Sequence, residues 1–540
     1  MIQSTQPRFH PCGLAAFTLA LPPPHEMLER LNDPEEIEEA ARRIKELIEA
    51  HGEWVYAQSS GAASTALRKS EIDLHAARNR LIFSCWTEKG VRSWRISAWE
   101  WTGAKLLLEA TRRAGAERTG IELVPRLSTK AVDTIISAAR RERAQHLAQL
   151  ACAHAEGAKI ERTALSAGAR RGLPGRYARV LLRLGRERLA VTGVVTPGQA
   201  YDVDAFLSSA LIWFTRGAGE RARPPSIRKL WLIADRRHAA TIAERIALLR
   251  EDLRRAVSLF MIDDEWRELS PVRSPEQAEL WTARPARFLR PSQAEPSERA
   301  ARVVALAPLA IDVVRARHGE TLRFHGLPFA RVRRVMKAEH VWFGVASSPR
   351  RLLDENTADD WTGLLHQLSE HRRADAIDRR HALYRLAPEA WLESMLRRDI
   401  TQLDPGLILS PLYAQFRAAH EARGAGARPV DLLALRRDGR LVVIELKVSA
   451  DREHVLQAAD YWRRVEAHRL WGNLRRARLF GDAAIADHSP LVYLVAPTLS
   501  FHRSFSTLAR AIDPRIEIYR FDLNEDWRAR VRVMRRTQVN

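Results

Sequence analysis

The sequence predicts an α/β fold, and two observations carry that reading. Residues 179–266 run strand, strand, helix, strand, helix, strand, and residues 429–521 run hairpin, helix, strand, helix, strand. The apolar runs inside them (LWLIA at 230–234, LLAL at 432–435, LVVI at 441–444, LVYLV at 491–495) are short and nearly unbroken, as in strands buried on both faces.

Within the second stretch, PVDLLALRRDGRLVVIELKVSADREHVLQAADY (429–461) places charge where a buried hairpin should have none. Asp431 opens the first strand, and Glu445 and Lys447 close the second, although an unpaired buried charge is costly. Strands alternate faces with period two, so Glu445 and Lys447 point the same way. Asp431 joins them only if the turn has an odd number of residues. A three-residue loop of Arg437, Asp438 and Gly439, with Gly439 left-handed, puts Asp431 opposite Glu445. A two-residue Asp-Gly loop would put it on the other face, so the odd loop, or an equivalent bulge, is expected.

Two carboxylates at a strand edge suit a hard cation such as magnesium, which keeps several waters and binds phosphate oxygens. Such an ion lowers the pKa of a bound water and neutralises charge developing on a phosphodiester. Lys447 is placed to position that water or to stabilise the transition state. Lysine is scarce: nine of the 87 Lys and Arg residues, and Lys447 is the last of them. Its compact amine therefore stands out in a chain that uses guanidinium nearly everywhere. Gln457 and Tyr461, four apart on the next helix, share a face that can reach the hairpin edge. Glu389 opens the preceding helix, EAWLESML, which ends before Asp404-Pro-Gly-Leu407, and it offers a further carboxylate.

The pattern Glu389, Gly406-Leu407, Asp431, Glu445-Leu446-Lys447, Gln457 and Tyr461 resembles the PD-(D/E)XK nucleases, and within them the RecB-like branch and the C-terminal nuclease domain of NucS-type endonucleases. The resemblance covers about residues 386–500. It departs from that domain at about 410–428, where some 19 residues replace a shorter connection, and the chain shows no counterpart of the amino-terminal DNA-binding domain. The resemblance implies a restriction-endonuclease-like core at the C-terminus and an endodeoxyribonuclease that uses magnesium or manganese. Asp431, Glu445 and the carbonyl of Leu446 would hold the metal, with Glu389 completing the acidic cluster. Lys447 would serve the attacking water. Gln457 and Tyr461 would support phosphate binding, with Arg463 and Arg464 suited to further phosphate contacts.

At 540 residues there is chain for two or more cores, and 46% hydrophobic with 28% charged residues is the composition of a folded protein. The net charge of +21 and a pI near 10.6 favour a polyanionic partner, expected to be DNA. Cys12, Cys85 and Cys152 have neither disulfide nor zinc spacing, which suits a reducing cytoplasm. The apolar run 13–21 is too short to span a membrane and meets Pro22-Pro23-Pro24. GxxxxGK[ST], GxGxxG and GxSxG motifs are all missing from the sequence. A homodimer stays open.

Five regions are expected. Residues 1–120 form an α+β region, loose over 1–33, with a helix capped at Asp33-Pro34 and a hairpin at 80–101. The hairpin's Trp86, Trp94, Trp99 and Trp101 are read as core or interface in preference to a base-stacking surface. Residues 104–116 and 128–156 read as helices. Residues 121–270 form an α/β domain, the proline-rich 271–298 a linker, 299–385 a connecting α+β region, and 386–540 the nuclease domain. His366 and His371 read as helix-surface residues and not as a metal site.

The first α/β domain also looks like a degenerate copy of the second. An ungapped shift of 252 lays residues 179–192 on 431–444, and shifts of 262 and 261 align later elements. In that register Arg179, Gly193, Val195 and Ser209 replace Asp431, Glu445, Lys447 and Tyr461, so the copy would bind DNA or pack against its partner but cut nothing. Two alternatives to the nuclease stand: a non-catalytic DNA-binding protein that keeps the fold, and a host-defence component acting on DNA or RNA.

Overall fold

A computed structural model describes residues 29–540 except 32, 59–64, 78, 88–89, 103–104, 113–116, 127–128, 169–173, 197–200, 219–226, 283, 286–294, 317–318, 336–337, 346–349 and 418–428. The loose segment expected at 1–33 and most of the departure at 410–428 thus lie outside the described residues. The chain divides into two units, residues 1–135 with 198–200, and residues 136–197 with 201–540.

In the first unit, β1 (Glu29–Arg30) pairs β6, and α1 (Pro34–Glu49) follows. Asp33 caps α1 by accepting from the N–H groups of Glu35 and Glu36, and Pro34 starts it. Strands β2 (Glu53–Gln58), β3 (Thr65–Arg68), β4 (Ile72–Ala76), β5 (Leu81–Thr87), β6 (Gly90–Trp101), β7 (Leu106–Arg112) and β8 (Glu117–Pro125) form an antiparallel sheet in the order β3-β2-β8-β7-β6-β5-β4. Ile37, Ala40, Ile44 and Ile48 of α1 cover Trp54, Phe83, Trp94 and Trp99. Trp94 and Trp99 are therefore core residues, as read from the sequence. The helix expected at 104–116 is instead β7: its Leu106-Leu107-Leu108 run suits either state, and pairing with β6 and β8 decides for strand.

The second unit holds three sheets. Helix α2 (Thr129–His154) precedes β9 (Lys159–Ala167), β10 (Pro174–Leu184), β11 (Glu187–Val194), α3 (Val203–Ala218), β12 (Ile227–Asp235), α4 (Arg236–Ile246), α5 (Glu251–Ala256), β13 (Val257–Ile262) and β14 (Leu269–Val272). The sheet order is β9 to β14 in sequence. Next, α6 (Glu298–Leu306), β15 (Ile311–Ala316), β16 (Gly319–Phe324), β17 (Leu327–Val335), β18 (Ala338–Phe343), β19 (Arg351–Leu352) and α7 (Ala358–His371) build an antiparallel sheet with helices on one face. After α8 (Ala382–Arg385) come α9 (Pro388–Arg398), β20 (Tyr413–Phe416), β21 (Val430–Leu435), β22 (Leu441–Leu446), α10 (His454–Leu470), α11 (Asn473–Arg476), β23 (Leu491–Pro497), α12 (Phe505–Ala509), β24 (Ile518–Leu523) and β25 (Val533–Gln538). That sheet runs β20 to β25 in sequence.

The first and third of these sheets share one plan. In each, the first three strands are antiparallel, the third, fourth and fifth are parallel, and the last is antiparallel again. In each, one helix covers one face (α2 or α9) and the crossover helices cover the other. The registers agree from the third strand onward: Thr192 pairs Leu232 as Glu445 pairs Leu494, and Leu232 pairs Leu259 as Leu494 pairs Arg520. The turns differ. Gly185 and Arg186 join β10 to β11, one residue fewer than the loop between β21 and β22. The ungapped alignment is thus off by one after the turn: Thr192, not Gly193, stands where Glu445 does, and Val194, not Val195, where Lys447 does. Gly193 is held by packing instead, since a Cβ there would lie 2.7 Å from Leu147 Cδ1.

The two sheets meet through their crossover helices, which pool one apolar core from Phe206, Leu207 and Leu211 to Ala458, Ala459 and Phe505. At its centre Leu249 and Ile512 form an antiparallel bridge. The Arg250 N–H donates to Ala511 O at 3.0 Å and the Asp513 N–H to Leu248 O at 2.9 Å. These residues occupy matching places ahead of β13 and β24, so the contact is a local two-fold inside one chain. Beside it, Arg245 pairs with Asp204 at 2.8 Å and with Asp460, which also takes Arg463 (2.8 Å) and Arg464.

The stretch expected as a linker is partly built into this unit. Leu269–Val272 is edge strand β14, where Pro271 lacks only a hydrogen bond that an edge does not need. Trp281 meets Trp462 edge-on at 5.9 Å. Among the described residues no helix is long and apolar enough to cross a membrane.

Burial pushes the Asp460 carboxyl up, but Arg245, Arg463 and Arg464 outweigh it and hold the group far below the usual range. Its stabilisation is thus fully present above about pH 4 and is lost only in strong acid. Asp460→Ala, which strips a buried guanidinium of a partner, is expected to cost about 3–5 kcal/mol in urea unfolding at pH 7.

Candidate active site

The odd turn forms as expected. The Arg436 N–H donates to Arg440 O at 2.9 Å, closing a loop of Arg437, Asp438 and Gly439. Gly439 has φ +81°, and a Cβ on it would lie 2.6 Å from Ala484 O, so both backbone and space call for glycine. Leu432 then faces Ile444, which puts Asp431 opposite Glu445 in the next pair out. Leu433, Leu435, Leu441 and Val443 pack with Tyr461 and Val465 of α10, and by alternation Asp431 and Glu445 lie on that same face. The Gly406-Leu407 motif has a local role: Leu407 bridges Arg436 and so pins the loop ahead of β20 to the hairpin turn.

Glu445 is only 2% exposed. Its Oε1 accepts from Lys447 Nζ at 2.7 Å, while Oε2 is buried with no hydrogen-bond partner among the described residues. Asp431 Oδ2 accepts the Leu446 N–H at 2.9 Å. Burial first, then the charge of Asp431, pushes the Glu445 carboxyl well above the usual range, and Lys447 only partly opposes this. Asp431 is also raised, chiefly by burial and then against the pull of the Leu446 N–H and Lys447, with Glu393 adding to the rise. Tyr461 packs on the same hairpin face as these two carboxylates, and burial followed by their charge raises its phenol. Gln457 is buried there with an unpartnered Oε1, and its Nε2 lies 3.4 Å from Glu453 Oε2. The neighbouring His454 is neutral, brought down to about 3 by burial and Lys447.

The helix α9 carboxylate that reaches this edge is Glu393 and not Glu389. Glu393 is 3% exposed; its Oε2 accepts from Gln415 Nε2 at 2.8 Å and its Oε1 from Arg323 Nη1 at 3.1 Å. The same Gln415 amide lies 3.4 Å from Asp431 Oδ1, and Gln415 holds φ +52°, a left-handed conformation that costs a non-glycine residue about 1–2 kcal/mol. Glu389 sits one turn earlier, half-buried, with no hydrogen bond or ion pair to the cluster among the described residues. The two glutamates are four apart on one face, so spacing alone cannot choose between them. The choice is made by the β16–β17 hairpin, whose Gly326 (φ +77°) approaches so closely that a Cβ would lie 1.9 Å from Ala390 O. Arg323, on β16 of this hairpin, then meets Glu393.

Arg463 and Arg464, expected on phosphate, are instead engaged by Asp460, and Arg463 also by Glu244 at 3.0 Å. They sit at the junction of the two sheets because α10 turns that face to α4.

Among the described residues no three His, Cys, Asp or Glu side chains are grouped to hold an ion. The donor set that fits a cation is smaller: Asp431, Glu445 and the Leu446 carbonyl at the same strand end. The orphaned Glu445 oxygen, facing a second carboxylate, is the feature a bound cation would satisfy. Compared with protein-family models and with curated proteins, the chain matches none.

A carboxyl whose folded pKa is raised loses stability as pH climbs from its unfolded value of about 4.3 toward the folded one. Glu445→Gln, which keeps the neutral shape, is therefore expected to stabilise the protein by about 1 kcal/mol at pH 8 in chelator, read as a higher Tm.

Proposed function

We propose that the chain is a metal-dependent endonuclease of the PD-(D/E)XK type, hydrolysing phosphodiester bonds in DNA. The observation that carries this is the Asp431–Glu445 pair with Lys447 at one strand edge, where buried Glu445 keeps one oxygen without a hydrogen-bond partner among the described residues. Burial raises both carboxyls, and a cation is the ligand that would let both ionise together; the net charge of +21 suits a polyanionic substrate.

Asp431, Glu445 and the Leu446 carbonyl would hold magnesium or manganese, which supplies Lewis acidity toward a phosphate oxygen and a more acidic water. Lys447, held by Glu445 at 2.7 Å and 3.8 Å from Asp451, presents its ammonium at the same edge, where it orients the attacking water and offsets charge on the phosphorane. Tyr461 and Gln457 line the wall behind the carboxylates and position the scissile phosphate. Glu393, neutralised by Arg323 and tied by Gln415, orients Asp431 and is not counted as a metal ligand.

Supercoiled plasmid with magnesium tests this reading. Cleavage by the wild type, and a fall of at least about 100-fold in Asp431→Asn, Glu445→Gln and Lys447→Ala, is expected. Glu389→Gln should cut like the wild type. Full cleavage by the first three variants, or none by the wild type on supercoiled, branched, mismatched or single-stranded DNA, would overturn it; DNA binding without nicking would then favour a non-catalytic binding protein.

A further inference from the structure

We propose that the first α/β sheet carries a charge-inverted counterpart of the Asp431–Glu445 site, and that this site grips the phosphate backbone of a polynucleotide. The position follows from register. Arg179 pairs Thr192 across β10 and β11, and Thr192 pairs Leu232, as Asp431 faces Glu445 and Glu445 pairs Leu494. With Thr192 and Val194 in the places of Glu445 and Lys447, the matched positions hold no carboxylate. A guanidinium stands where the other sheet has a carboxylate.

Arg179 is half-buried and is not tied to an acid. Its Nη2 lies 3.5 Å from Ser209 Oγ and its guanidinium 5.7 Å from the Trp213 ring. Ser209, Trp213 and Arg216 follow at helical spacing on one face of α3, the crossover helix that stands where α10 does in the other sheet. Burial lowers the pKa of Arg179, and among the described residues Arg216 and Arg452 add to this. Arg452 comes from the other sheet, in the loop five residues beyond Lys447. His502 is lowered by burial and then by Arg452, Arg503 and Arg216, against Asp451, so the same guanidiniums extend to its side. The nearby acids are engaged: Asp202 caps α3 through the N–H groups of Asp204 and Ala205, Asp451 lies 3.8 Å from Lys447, and Glu453, beside Arg452, lies 3.4 Å from Gln457 Nε2.

Crowded guanidiniums whose neighbouring carboxylates are engaged elsewhere repel one another, and a phosphate chain is the ligand that relieves them through paired N–H donors. Trp213 beside Arg179 adds a ring face for a base. Because Arg452 belongs to the loop that leaves Lys447, one strand gripped here continues toward the Asp431–Glu445 edge. The inference shares with the nuclease reading only the choice of a polynucleotide as ligand.

The test is fluorescence polarisation of a fluorescein-labelled DNA duplex and single strand with the full chain in EDTA, across a salt series. Arg179→Gln, Arg216→Gln and Arg452→Gln are each expected to weaken binding about tenfold. Each should flatten the slope of log affinity against log salt by about 0.9 on duplex or 0.7 on single strand. Arg216 and Arg452 are exposed, so their variants fold even if Arg179→Gln does not. Wild-type affinity and slope in both Arg216→Gln and Arg452→Gln would overturn the proposal, as would no DNA binding by the wild type. Weakened binding in these variants without any plasmid cleavage would uphold the anchor and remove the nuclease.

Discussion

A carboxylate taken out of water must be compensated, and this constraint separates the acids of the second unit into two kinds. Asp460 is buried against three guanidiniums and is held ionised. Asp404 accepts from the Tyr493 hydroxyl at 2.6 Å and the Gly406 N–H at 2.8 Å. Glu393 is met by Arg323 and Gln415. Glu445 is as deeply buried, but one ammonium and an opposing carboxylate leave an oxygen orphaned and the group pushed toward its neutral form. Folding alone gains nothing from that arrangement, and the architecture around it works to keep it: the odd turn, the glycine at its end and the strained Gln415 all hold the pair in place.

The repeated strand plan gives the same physics a second outcome. Two sheets with one order, one set of directions and matching registers present the same edge position twice. At one edge the residues are Asp431 and Glu445, and at the other Arg179 and Thr192. The turn of β10 and β11 is one residue shorter, yet the facing pair is conserved in space, because parallel pairing to the next strand sets the register of β11 independently of the turn. The sheets meet about a local two-fold at Leu249 and Ile512, the symmetry a homodimer would use, here within one chain.

The connecting region belongs to this arrangement and does not merely separate two domains. Arg372, buried at the end of α7, donates to the carbonyls of Phe324, Leu383 and Leu386 and lies 4.7 Å from the Trp391 ring. It thereby fastens α9 to the β15–β19 sheet, and the same contact surface delivers Arg323 to Glu393. A region with no chemical motif of its own thus selects which glutamate of α9 stands at the candidate site.

By itself, the sequence determined what depends on neighbours along the chain. Short unbroken apolar runs, Gly439 in a three-residue turn, and the spacing of Asp431, Glu445 and Lys447 are local, and they put these three side chains at one edge without reference to anything distant. Gln457 and Tyr461 followed from helical spacing in the same way. Only the tertiary structure decided what depends on which surfaces meet. Glu389 and Glu393 are equivalent on a helical wheel until the β16–β17 hairpin docks. Asp460 stands three and four residues before Arg463 and Arg464, a helical spacing already present in the sequence, but which partner buries the cluster is decided only when α4 brings Arg245 to Asp460 and Glu244 to Arg463. Residues 106–112 are helix or strand by pattern until β6 and β8 pair with them, and proline marks a linker at 271 until an edge strand tolerates it. In each case the deciding interaction is between residues far apart in sequence, and local periodicity holds no record of it.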